Sequence, residues 1–96
     1  MKYFHRTSAT PEQVLEAAKT FFGGRLRPAE ESPRRRGYHG TLGRITVSAR
    51  PEAGHYTLVE VGTDQVGESE LDKLAKRFLA EVHRLVEPAH PVRGAY

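Results

Sequence analysis

The densest chemistry in this sequence is cationic. Arg34-Arg35-Arg36 runs almost directly into Tyr38 and His39, and Arg25, Arg27, Arg44 and Arg50 lie in the same segment. From Arg25 to Val61 there are seven arginines against Glu30, Glu31, Glu52 and Glu60, a local surplus of +3. Guanidinium groups gathered on one exposed surface bind phosphates and other anions. Arg44, Thr46, Ser48 and Arg50 alternate along one predicted strand and would share its wet face. The candidate anion or nucleic-acid site is therefore Arg25, Arg27, Arg34, Arg35, Arg36, Arg44 and Arg50. The plainer role of the same residues is to solvate strands and discourage edge pairing. Bending a DNA minor groove calls for apolar wedges, yet Phe21, Phe22 and Phe78 read as helical and only Phe4 falls on a strand. Single-stranded RNA recognition calls for aromatics on the sheet, where Tyr38 and Tyr56 are the interior candidates.

Other chemistry is sparse. His5, His39 and His55 fall on three predicted strands, which allows an imidazole cluster, but no spacing matches a metal-ligand signature and scattered histidines are the expectation. His83 falls at the edge of a helical stripe, and His90 in the C-terminal segment. Gly23-Gly24 ends a helix before a strand, the reverse of a phosphate loop. The serines lack a nucleophile-elbow context. Glu30 and Glu31, adjacent on a strand, point to opposite faces and cannot act as an acid–base pair. No enzyme, metal site or cofactor is expected.

The elements that must position these residues follow from composition and pattern. A chain of 96 residues with 38% hydrophobic content fits one domain with a single core. It contains no Cys, which removes disulfides and thiol chemistry. No apolar run approaches the roughly 18 residues of a membrane span, and Met1 to Arg6 lacks a signal-peptide core, so a soluble cytoplasmic protein is expected. The net charge of +3 marks a mildly basic protein rather than a polycation.

Ser69 to Val86 reads as one long amphipathic helix. Leu71, Leu74, Ala75, Phe78, Leu79, Val82, Leu85 and Val86 follow a three-and-four spacing, Ser69 suits the N-cap, and Asp72 is assigned with the charged residues off the stripe. At 1.5 Å per residue this rod is roughly 27 Å long, enough to cross a four- or five-stranded sheet. Lys2 to Thr7 reads as a strand. Thr10-Pro11-Glu12-Gln13 carries a capping box that opens a short helix ending at Gly23-Gly24, with Gly23 suited to a left-handed terminus. Then the period changes to two. Strands are predicted from Arg25 to about Glu30, from Arg34 to Leu42, from Arg44 to Arg50 and from His55 to Val61, with Pro28 fitting only an edge or a strand end. Turns are expected at Glu31-Ser32-Pro33, Leu42-Gly43 and Pro51 to Gly54. Pro88 to Tyr96 reads as a loose tail after a domain spanning residues 1–87.

The fold class is α+β: two layers, an antiparallel sheet in β-α-β-β-β-β-α order, and a long C-terminal helix packed across one face. This order of elements from Lys2 to Val86 resembles one repeat of the TATA-binding-protein fold and the helix-grip fold of the Bet v 1/START-like proteins. The resemblance lies in element order, with no shared motif. The expected role is a non-catalytic binding or assembly module using the open sheet face, and a homodimer is expected because that face is left available for a partner. One alternative is anion or nucleic-acid binding through the arginines. Another is a small apolar ligand held between sheet and long helix by Phe78, Val82, Ile45, Val47 and Tyr56.

Overall fold

The computed structural model describes residues 1–86; the segment from Pro88 to Tyr96 lies outside the described residues. The chain forms β1 (Lys2–Thr7), α1 (Pro11–Gly23), β2 (Arg27–Ser32), β3 (Arg35–Gly40), β4 (Gly43–Glu52), β5 (Tyr56–Thr63) and α2 (Glu70–Val86). All strand pairs are antiparallel, and the sheet order is β1-β5-β4-β3-β2. Three successive hairpins account for β2 to β5. α1 carries the chain from β1 over one face to the opposite edge, so the hairpin run returns to close against β1. This is the expected α+β arrangement, with both helices on one face.

The register explains the core. Val47 lies opposite Val61, Ala49 opposite Val59, and Ile45 opposite Tyr38 on its other side. These residues, with Tyr3, form the covered side of the sheet, and the helices bury Val14, Leu15, Ala18 and Phe22 from α1 and Leu71, Leu74, Ala75, Phe78, Leu79 and Val82 from α2 against it. Each large apolar side chain so buried contributes about 1.5–3 kcal/mol. Phe22 is central, with its ring 5.1 Å from Phe78 and 5.5 Å from Tyr38. The buried stripe of α2 stops short of its predicted length: it ends at Val82, and Leu85 and Val86 are 44% and 39% exposed.

Local chemistry sets the boundaries. Thr10 Oγ1 accepts from the Gln13 amide at 3.1 Å and Gln13 Oε1 from the Thr10 amide at 2.8 Å, the expected capping box. The helix does not end in a left-handed glycine; Gly24 caps it at φ −87° and ψ −7°. Instead the amides of Arg25 and Leu26 both donate to the Phe22 carbonyl, at 2.9 and 2.8 Å. Those bonds hold Arg25 and Leu26 at the helix end, so β2 begins at Arg27. β2 is an edge strand with Pro28 at its start, where a missing amide is tolerated, and the register shifts between Pro28 and Glu30. It continues through Ser32, moving the turn to Pro33-Arg34. At the next hairpin but one, Pro51 and Glu52 stay in the ladder opposite Thr57 and Tyr56. The turn there falls on Ala53 and Gly54, both left-handed, at φ 54° and 74°.

One charged side chain among the described residues belongs to the core. Asp72, on the charged side of the predicted helix, is fully buried. Its Oδ1 accepts from the Tyr3 hydroxyl and from Thr63 Oγ1, each at 2.9 Å, and its Oδ2 from the Ser69 hydroxyl. Ser69 Oγ in turn accepts from the Asp72 amide at 3.1 Å, which makes Ser69 the N-cap. Burial alone would raise the Asp72 pKa, but the hydrogen bonds from Ser69, Thr63 and Tyr3 outweigh it and hold the carboxyl below its ordinary value.

Candidate functional site

Helices cover one face of the sheet; the other carries the side chains that alternate with the core. Its rows can be read from the register. One row is Lys2, Gly62, Thr46, Gly37 and Glu30; the next is Phe4, Glu60, Ser48, Arg35 and Ser32. Beyond that lie Arg6, Leu58 and Arg50, then Tyr56 opposite Glu52. On the other flank Arg44 faces His39, which faces Arg27.

This arrangement divides the seven predicted arginines. Arg27, Arg35, Arg44 and Arg50 are brought together on the open face. Arg25, Arg34 and Arg36 are not. Arg25 lies over the Phe21 ring at 4.3 Å and donates to the Phe21 carbonyl, bound to the end of α1. Arg34, in the β2–β3 turn, reaches Glu12 of α1 at 3.5 Å. Arg36 alternates to the helix side, where its Nη1 donates to the Ser32 and Arg35 carbonyls and its Nε lies 3.6 Å from Glu31. Three consecutive arginines on a strand cannot share a face, and the turn takes the first of them out of the sheet.

β1 adds three residues to this face. Lys2, Phe4 and Arg6 alternate with Tyr3, His5 and Thr7, and pairing with β5 sets them beside Gly62, Glu60 and Leu58. Phe4 is 49% exposed and Tyr56 53% exposed, so two aromatic rings stand in water on a cationic face. Tyr38, the other aromatic candidate, instead alternates into the core and is 3% exposed. Leu58, although on the open side, is buried, with Arg6 and Arg50 as its cross-strand neighbours. Arg6 pairs with Glu52, and Arg35 with Glu30 at 3.1 Å. Lys2, Arg27, Arg44 and Arg50 make no ion pair among the described residues.

A depression of about 370 Å³ lies on this face, lined by Lys2, Arg35, Arg44, Glu60 and Asp64 around Gly62 and Thr46. Gly62 creates it: a Cβ there would meet nothing within 4 Å. Gly37 does not extend it, because Glu30 lies over that position. The Asp64 carboxylate accepts from the Arg44 amide and from Gln65 Nε2, each at 2.9 Å, and these bonds hold its pKa below the ordinary value. Asp64 is thus ionised and engaged.

The histidines do not converge. His5 faces His83 of α2 with ring centroids 6.1 Å apart, and burial, then the His83 charge, lowers its pKa. His39 is on the open face and His55 in the β4–β5 turn beside Tyr56. Among the described residues no group of three or more His, Asp or Glu side chains is placed to hold a metal ion. The apolar-ligand residues do not converge either. Phe78, Val82, Ile45 and Val47 are packed core at 0–1% exposure, whereas Tyr56 is on the opposite side of the sheet. An apolar concavity of about 920 Å³ lies elsewhere, between α1 and α2, lined by Ala17, Phe21 and Leu85 with Glu12, Glu16 and Glu81. No helix among the described residues is long and apolar enough to cross a membrane.

With this geometry defined, comparison with known proteins bears on the fold. No protein-family model matches the chain, and no curated protein sequence does. A conserved protein of unknown function from Enterococcus faecalis superposes with a TM-score of 0.63 at 13% identity, covering 99% of this chain and 75% of that one. A protein from Staphylococcus saprophyticus superposes with a TM-score of 0.55 at 12% identity, covering 99% of this chain and 98% of that one. These similarities establish a shared α+β fold.

Proposed function

We propose that the chain is a non-catalytic binding module whose open sheet face takes single-stranded nucleic acid. The observation that supports this most directly is the presence of Phe4 and Tyr56, each about half exposed, on the face that also carries Lys2, Arg27, Arg44 and Arg50, which make no ion pair among the described residues. Aromatic platforms between uncompensated cations match a strand that offers bases and phosphates together. A duplex fits less well, because a rigid rod cannot set its stacked bases on rings lying in the sheet surface. The helix-grip or TATA-binding-protein likeness rests on element order and the long α2 across the sheet, and it is part of this reading only as architecture.

The test is light scattering behind a sizing column, at low and high salt, with and without short mixed-sequence oligonucleotides. The proposal expects a mass increase with oligonucleotide at low salt that is lost at high salt. A mass that ignores oligonucleotide overturns it. If that unchanged mass is twice the chain's, the chain is a homodimer that does not take nucleic acid.

A further inference from the structure

Resting on that reading, we infer that Phe4 and Glu60 together form a base-reading subsite that prefers guanine, with the nucleotide's phosphate in the depression over Gly62. Glu60 is the residue that a purely cationic surface does not explain. It stands on the open face between Phe4 on β1 and Ser48 on β4, and its carboxylate accepts no hydrogen bond and joins no ion pair among the described residues. A carboxylate there repels phosphate. It is useful only toward a group that donates.

The register puts that donor where a base edge falls. Phe4 and Glu60 are direct cross-strand partners, so their Cβ atoms are about 4.5–5.5 Å apart. A base stacked on the exposed Phe4 ring carries its edge over the Glu60 carboxylate. Guanine offers two adjacent Watson–Crick-edge donors, N1–H and the N2 amino group, which match the two oxygens of one carboxylate. Cytosine and adenine offer one amino group each. Uracil and thymine set a single N–H between two carbonyls, which the carboxylate repels.

The phosphate follows from the strand spacing. Lys2 is two residues from Phe4 on the same face, roughly 6.8 Å away along β1. It borders the depression together with Arg44 and Arg35, three cations over the bare backbone of Gly62 that oppose the charge of Glu60, which is also in the lining. Asp64, the other carboxylate at this depression, is held by the Arg44 amide and Gln65 on its far wall. Glu60 is therefore the acceptor left for the base.

The experiment is fluorescence anisotropy with labelled short oligothymidines carrying one central guanine, adenine, cytosine or no replacement, in wild type, Glu60→Gln and Gly62→Val. The guanine oligonucleotide should bind on the order of tenfold more tightly than the oligothymidine. Glu60→Gln should erase that preference while raising affinity for oligothymidine, because a repelling charge is gone. Gly62→Val, which adds a side chain into open space in a strand, should weaken all four oligonucleotides and leave the thermal midpoint close to wild type. Equal wild-type binding of all four overturns the guanine subsite but leaves open-face binding standing. A preference that survives Glu60→Gln also overturns the subsite, and no binding by any oligonucleotide overturns both readings.

Discussion

Asp72 sits where the helical pattern of the sequence puts a surface residue, yet it is fully buried and accepts from Tyr3, Thr63 and Ser69. Those three donors come from β1, β5 and the N-cap of α2, so a single carboxylate ties the long helix to two strands. Replacing it with Ala leaves three hydroxyls without their acceptor, and a loss of about 2–4 kcal/mol in denaturant unfolding is expected. The pH dependence has a definite sign. The folded pKa of Asp72 is lowered, so its contribution is complete above the unfolded value of about 3.9 and is lost as pH falls through the folded value. Asp72→Asn should therefore be less stable at neutral pH and lose less stability on acidification than wild type; an acid limb as steep as wild type would assign that loss to other carboxylates. In the sequence the residue is one charged position among several. Its burial depends on Tyr3, 69 residues away, and no helical periodicity contains that.

At the scale of elements, hairpins were legible wherever turn residues mark them, and shifted wherever a neighbouring ladder outcompeted the local preference. Pro51 to Gly54 has the composition of a turn with Pro early and Gly late. Pairing of Pro51 with Thr57 and of Glu52 with Tyr56 extends the ladder, and the Arg6–Glu52 ion pair lies at that end. The turn is forced onto Ala53, at φ 54°, a conformation that disfavours a Cβ by roughly 1–2 kcal/mol. Ala53→Asn, which tolerates the left-handed region, should raise the thermal midpoint by a few degrees, while Ala53→Val should lower it; equal midpoints would show that the strain is relieved elsewhere. The end of α1 makes the same point in reverse. Two glycines suggested a left-handed stop, but a carbonyl at Phe22 that takes two amides ends the helix without one.

For the whole molecule, a two-layer fold with both helices on one side leaves the second sheet face without a covering element among the described residues. That face is wet, carries the four arginines that alternation selects, and gains Lys2, Phe4 and Arg6 because β1 pairs with β5. Changing Arg27, Arg44 and Arg50 together to Gln removes three phosphate partners, and at about 0.7 per contact the slope of log affinity against log salt should fall by about 2. The triple change Arg34, Arg35 and Arg36 to Ser should lower that slope by less than 1, since only Arg35 is on the face. A larger effect from the second set than from the first would place the binding surface on the turn and helix side instead.

Local sequence determined the elements themselves. The period of two in Ile45, Val47 and Ala49, the capping box at Thr10 and the apolar stripe from Leu71 to Val82 are short-range patterns, and each is physically sufficient to specify its strand or helix. Alternation also stated that Arg44 and Arg50 share a face. What only the tertiary structure decided was which strands are neighbours, and so which rows of side chains exist. Lys2 meets Gly62 across 60 positions of chain, and Phe4 meets Glu60 across 56. Such pairings are settled by burial of a common core on the other side of the sheet. The open face inherits its chemistry from a register chosen by residues that never touch it.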